Sequence, residues 1–180
     1  MPLTSPDSLF SWNVILSENG AKIIDHRRTV IDYLNRTLPG YYKDIAAQEM
    51  AVTIDYDHVS HTPQELLQAY EKSYERDRAV GSTLIGPHRH DFTVFLRTKP
   101  AADIASRGEN RTLILALKYA EADILHDKYD ELPLILLDDV FGELDKLHRE
   151  SLIRTFTDSQ VIITATDKVR LAKDTATIAL

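Results

Sequence analysis

Two adjacent carboxylates, Asp138 and Asp139, follow the run Leu134-Ile135-Leu136-Leu137. Four apolar residues in succession read as a strand buried on both faces, so the aspartates emerge where that strand ends. One carboxylate there can hold magnesium through an oxygen contact or a bound water. Its neighbour points to the other side and can polarise an attacking water. Taken alone, the pattern fits equally well a strand that ends in two solvated turn residues.

A second constellation lies upstream, in "ASRGENRTLILAL". Ser106 and Glu109 have the S-x-x-E spacing of a capping box, in which the hydroxyl accepts from one backbone amide and the carboxylate from another. Gly108 lets a partner approach the backbone closely. The helix start therefore offers free amides and the positive end of its dipole, a natural seat for phosphate. Without other motifs it is simply a well-capped helix.

A third stretch, "GSTLIGPHRHDF", places Gly81 and Gly86 five apart, as in a phosphate-cradling loop. That loop needs Lys and then Ser or Thr after the second glycine, and here Pro87 and His88 stand instead. No G-x-x-x-x-G-K-[ST] occurs anywhere in the 180 residues. His88, His90 and Asp91, joined by Asp138, suggest a competing reading as a metal-dependent hydrolase. The pattern is H-x-H-D, however, one residue short of the H-x-H-x-D-H that a zinc hydrolase would want.

The elements that must carry these residues fall into two parts, an arm at 1–79 and a lobe at 80–180. From Trp12 to Tyr42 apolar residues recur close to every 3.5 positions, which predicts a long helix weakened at Gly20 and stopped near Pro39-Gly40. "MAVTIDYDH" alternates like a strand, and Thr62-Pro63-Gln64-Glu65 opens a helix that runs to about Arg78. The lobe alternates strands with helices. "DFTVFLRT", "LPLILLDDV", "QVIITAT" and "ATIAL" are the strands, and 107–129 and "DKLHRESLIRTFT" the helices. In the first of these helices Leu113, Leu117, Ala120 and Ile124 are expected core. The fold class is α/β, a mostly parallel sheet with flanking helices plus a helical arm. Ligands of such sheets sit at the carboxyl ends of strands, where Asp138 and Asp139 lie.

Composition narrows the function classes. The chain is 43% hydrophobic and 27% charged, enough apolar material for a core, and its net charge of −7 argues against general coating of nucleic acid. With no cysteine, disulfides and thiolate metal sites are excluded. No apolar run approaches the ~18–20 residues needed to span a bilayer.

The motifs occur in the order found in ABC ATPase heads. Ser-x-Gly-Glu opens a helix, an apolar strand ends in Asp-Asp, and Gly142-Glu143-Leu144-Asp145 follows. More specifically, "LIGPHRHDF", "SRGENRTLILALKYAE", "LLDDVFGELDKLHRESL" and "QVIITATD" resemble the C-terminal half of the RecF family, SMC-like ATPases of recombinational repair. "SENGAKIIDHRRTVIDYLN" is similar to that family's helical arm.

The resemblance implies roles. Asp138 would position magnesium as the Walker B aspartate, and Asp139 would stand where the water-activating carboxylate stands. Ser106, Arg107, Gly108 and Glu109 match the signature motif, which contacts nucleotide held by the opposite subunit. Asp145 would close the D-loop, and Thr164 (with Thr166) takes the place of a switch histidine. ATP and Mg2+ are the implied cofactors. The implied partners are double-stranded DNA at junctions with single strands, RecR and RecO, and a second head in an ATP-dependent homodimer, all in the cytoplasm with no membrane. Because the phosphate loop of the family lies before the arm, the chain is expected to be a C-terminal fragment or truncated product, inactive alone. A non-catalytic interaction module, binding through the apolar stripe of the long helix, is the other alternative.

Overall fold

A computed structural model describes residues 6–56, 62–138 and 159–165. The order is helix α1 (Pro6–Ala46), strand β1 (Val52–Asp55), helix α2 (Pro63–Val80), a 3-10 turn (Pro87–Arg89), strands β2 (Thr93–Leu96) and β3 (Lys99–Pro100), a short helix α3 (Ala101–Ile104), helix α4 (Arg107–Tyr129), and strands β4 (Ile135–Asp138) and β5 (Val161–Thr164). The architecture is α/β, as expected. One sheet has the order β1-β2-β3 with β2 and β3 antiparallel, and a second pairs β4 with β5 in parallel. The helix expected over "DKLHRESLIRTFT" and the strand over "ATIAL" lie outside the described residues.

The chain forms two compact units, Met1–Tyr33 with Ile54–Val94 and Leu34–Thr53 with Phe95–Leu180. They interleave along the sequence because α1 runs from one into the other, whereas the arm and lobe read from the sequence are consecutive.

In the first unit, α1 packs with its small residues. Ser17, Gly20, Ala21 and Ile24 are buried, and Ala21 and Ile24 form a core cluster with Leu66 and Tyr70 of α2. A Cβ on Gly20 would come within 3.3 Å of the Leu66 side chain, so glycine there permits close packing rather than weakening the helix. The apolar stripe read from the sequence faces outward instead, with Trp12 59% exposed. Helix α2 begins as expected. The Thr62 hydroxyl accepts from the Glu65 amide, the Glu65 carboxylate accepts from the Thr62 amide, and Pro63 takes the first position.

In the second unit, α1 continues through Pro39 and Gly40, contrary to the expected stop. A proline inside a helix costs about 3 kcal/mol. Burial of Leu38, Tyr42 and Ile45, spaced for one helical face, opposes it, at roughly 1.5–3 kcal/mol for each fully buried large side chain. Tyr41 also stacks on Tyr119 of α4, with ring centres 6.1 Å apart. On α4 the buried stripe is Thr112, Leu113, Leu115, Ala116, Tyr119 and Ala120, while Leu117 and Ile124 are only half-buried. The stripe centres on Ala116, one position off that expected.

Candidate functional site

Helix α4 starts where the sequence places it, at Arg107 with Ser106 as its cap. The Ser106 Oγ accepts from the Glu109 amide at 3.2 Å, and the Glu109 Oε2 accepts from the Ser106 amide at 2.8 Å. The Ser106 amide first, and the Ser106 hydroxyl second, hold the Glu109 carboxyl below its ordinary pKa by bonding to it, and Arg97 adds a smaller pull. Arg97 reaches the other Glu109 oxygen at 3.4 Å from the β2–β3 turn, where its own backbone is left-handed (φ 61°). Inside the first turn, Thr112 donates to the Gly108 carbonyl at 3.1 Å.

The Ser106 oxygen accepts from the Glu109 amide, and its O–H turns to the Glu109 carboxylate. The amides of Arg107 and Gly108 lie in the turn whose N–H groups have no partner within a helix. A Cβ built on Gly108 would meet only the Ser106 Oγ, 4.0 Å away, so the surface beside it is open. This helix start fits an anion: it has donors, a positive dipole end and room for close approach.

Asp138 ends β4 and is exposed, as a group that meets a ligand must be. The parallel register sets Asp138 opposite Thr164, whose hydroxyl donates to the Asp138 Oδ1. Sequence reading named both residues but missed that they touch. The signal was present: "ILLD" and "VIIT" are apolar runs of equal length, each ending in a polar residue. The strands are not buried on both faces as expected, for Leu136 is 68% exposed. Asp139 and Asp145 lie outside the described residues, as does Thr166.

No group of three or more His, Asp or Glu among the described residues could hold a metal. One Asp138 carboxylate fits a magnesium ion that is shared with nucleotide phosphates and waters, the usual mode for that ion.

The histidine-rich stretch is built differently. The His88 Nε2 lies 3.0 Å from both the hydroxyl and the carbonyl oxygen of Thr83, and the His90 Nδ1 is 2.7 Å from the Tyr56 hydroxyl. Arg89 donates to the Thr83 carbonyl and the Ser82 hydroxyl, and Arg27 of α1 to the Pro87 carbonyl. The two histidines thus hold a loop together, each on its own partner. Asp138, the fourth residue of the hydrolase reading, belongs to the other compact unit.

No family model matches the chain. Among individual proteins, it is 31% identical to a DNA replication and repair protein RecF of Herpetosiphon aurantiacus over 169 residues, covering 91% of this chain and 43% of the relative. It is 34% identical to that of Trichlorobacter lovleyi over 164 residues, covering 87% and 45%. A solved structure described as the recombination mediator protein RecF-ATP in the RecFOR pathway superposes with a TM-score of 0.76 and 28% identity, over 90% of this chain and 47% of that one. The corresponding RecF-ATPrS structure gives 0.76 and 27%, over 92% and 47%. The chain spans less than half the length of these relatives. The motifs, the α4 cap, the parallel β4–β5 pair and these matches agree, and the chain belongs to the RecF family as the counterpart of its members' C-terminal portion.

Proposed function

We propose that this chain is one lobe of an SMC-like ABC ATPase head with its arm, acting in ATP-dependent recombinational repair. The observation that carries the reading is the open, capped start of α4 in a chain that superposes on a RecF-ATP structure over 90% of its length. ATP supplies the phosphates that two heads share. Arg107 and Gly108 direct their amides, beside the Ser106 hydroxyl, at the terminal phosphate of nucleotide held by the opposite head. Glu109 keeps that turn in shape. Asp138 holds magnesium, Asp139 takes the proton of the attacking water, and Asp145 and Thr164 line the same interface. The arm at 1–79 and the lobe at 80–180 then serve a homodimer on double-stranded DNA beside single-strand gaps, with RecR and RecO as partners, in the cytoplasm.

The chain contains no G-x-x-x-x-G-K-[ST] loop, so ATP turnover should be absent from the chain alone. The test fuses it to the loop-bearing segment of a RecF relative and measures magnesium-dependent ATP hydrolysis and sedimentation with ATP. Asp139→Asn should then spare ATP binding, hold the dimer closed, and slow hydrolysis by the ~10²–10⁴-fold typical of losing a general base. Ser106→Arg should spare nucleotide binding yet abolish ATP-driven dimerisation. Normal dimerisation of Ser106→Arg would reduce the α4 start to a structural cap.

A further inference from the structure

Tyr70 of α2 is only 6% exposed, yet its hydroxyl has no hydrogen-bond partner among the described residues. A buried hydroxyl left unpaired costs free energy, so something ordinarily satisfies it. Two glycines leave room above this one. A Cβ on Gly20 of α1 would come 3.4 Å from the Tyr70 oxygen, and a Cβ on Gly86 3.0 Å. Tyr70 and Gly20 line a cavity of ≈ 300 Å³ that lies wholly within the first compact unit. At about 30 Å³ for each water, that is space for roughly ten waters or for one small molecule. It is at the lower end of the volumes that hold ligands.

The walls choose the ligand. Leu16, Ile23, Ile85 and Pro87 are apolar, so most of the occupant is hydrocarbon. The cavity runs between α1 and the 83–88 segment, where a flat rigid ring loses little freedom on binding. Arg27 is the only guanidinium in the lining. One of its N–H groups donates to the Pro87 carbonyl, and the others have no partner among the described residues. Pro87 joins the two polar groups. Its ring lies beside Gly20, next to the Tyr70 hydroxyl, while its carbonyl takes Arg27. His88 and Thr83 are engaged with each other. A single cation among apolar walls matches a monocarboxylate, whereas a phosphate would keep charge uncompensated there. Burial raises the Tyr70 pKa, so its hydroxyl stays a neutral donor at physiological pH. We propose that this cavity binds a small aromatic carboxylic acid with an oxygen at its far end. The carboxylate takes Arg27, the ring lies against Ile23 and Ile85, and the far oxygen accepts from Tyr70. The site stands apart from the nucleotide chemistry of the second unit and does not rest on it.

The probe is 6-hydroxy-2-naphthoate, titrated by calorimetry into the 180-residue chain. Its comparisons are 2-naphthoate, which lacks the far oxygen, and 2-naphthol, which lacks the carboxylate. The probe should saturate with a Kd below about 1 mM, as expected of a ligand this size. Tyr70→Phe should weaken it about fivefold, the loss of one neutral hydrogen bond, and leave 2-naphthoate unchanged. Arg27→Met should weaken both naphthoates at least about tenfold and leave 2-naphthol unchanged. Arg27→Lys, which keeps the charge, should restore part of that loss. Ile23→Trp, which fills the cavity from an exposed position, should abolish binding. Without ligand, Tyr70→Phe should melt no lower than wild type, because no protein hydrogen bond is lost. A lower melting temperature would mean that trapped water already satisfies the hydroxyl, and would overturn the proposal. So would a failure to saturate, naphthoates that bind no better than 2-naphthol, equal weakening of both naphthoates by Tyr70→Phe, or full binding to Ile23→Trp.

Discussion

Thr164 stands opposite Asp138 across the parallel β4–β5 pair and donates its hydroxyl to the Asp138 carboxylate. A hydroxyl there fixes one oxygen of the acid and leaves the other for a ligand. Thr164→Val keeps the branched shape that suits a strand but removes the donor. In the loop-restored protein we expect ATP affinity in magnesium to fall about fivefold, the equivalent of one ordinary hydrogen bond of ~1 kcal/mol. Thr164→Ser should keep it, and affinity without magnesium should not change. Equal losses with and without the metal would assign Thr164 to strand packing alone.

Ser106 carries a structural task beside its proposed chemical one, and thermal unfolding separates them. Ser106→Ala should destabilise the chain by ~1 kcal/mol, the typical loss of an N-cap. Ser106→Asp should retain most of that stability, because its oxygen still accepts from the Glu109 amide. It would nevertheless put a negative charge where the proposed phosphate sits. A protein with Ser106→Asp that melts normally but no longer dimerises with ATP would show both tasks.

Glu109 links the cap to pH. Its folded pKa lies below the ordinary glutamate value, held there by the Ser106 amide and hydroxyl. A depressed acid contributes stability that is complete above its unfolded pKa and is lost as pH falls through the folded one. Wild type should therefore exceed Glu109→Gln in melting temperature at neutral pH. The gap should close on acidification below the usual glutamate range. A gap that persisted in acid would mean that shape, not charge, holds the cap.

Two glycines should respond with opposite signs. Gly86 has φ 126°, and a Cβ there would lie 3.0 Å from the Tyr70 hydroxyl and 3.1 Å from the His88 ring. Gly86→Ala should cost ~1–3 kcal/mol for the strained backbone alone. Gly40 lies inside α1 with nothing within 4 Å of its absent Cβ. Gly40→Ala should stabilise by roughly 0.5–1 kcal/mol. Denaturant midpoints measure both.

Local chemistry was legible in the sequence, and tertiary packing was less so. The caps at Thr62 and Ser106 were readable because a capping box is decided within four residues. The full extent of α4 and the strand end at Asp138 were readable from the capping box and the apolar run, whereas β5 ends at Thr164, two residues before the end read from the sequence. The passage of α1 through Pro39-Gly40 was not, because it depends on burying Leu38, Tyr42 and Ile45 against partners remote in sequence. The buried face of α1 was missed for a related reason. Its contacts use Ser17, Gly20 and Ala21, residues that carry little hydrophobic signal, while the conspicuous Trp12 and Leu16 face outward. The Arg97–Glu109 contact depends on a left-handed residue at a two-residue turn, which no periodicity announces.

Asp77, in the last turns of α2, gathers the residues that lead into the Gly-Pro-His-Arg segment. Its carbonyl accepts from the Gly81 and Ser82 amides, one carboxylate oxygen accepts from the Leu84 amide, and the other accepts from the Ser73 hydroxyl. A segment rich in glycine and proline would ordinarily exchange its amide hydrogens with solvent quickly and invite proteases. Here the Leu84 amide should exchange slowly, in step with α2, and a nick between Gly81 and Gly86 should be rare. Asp77→Ala would free that amide and the Ser73 hydroxyl, while the Gly81 and Ser82 amides would keep the backbone carbonyl of residue 77. The histidines at 88 and 90 would then lose the anchored backbone from which they reach Thr83 and Tyr56, although neither touches Asp77.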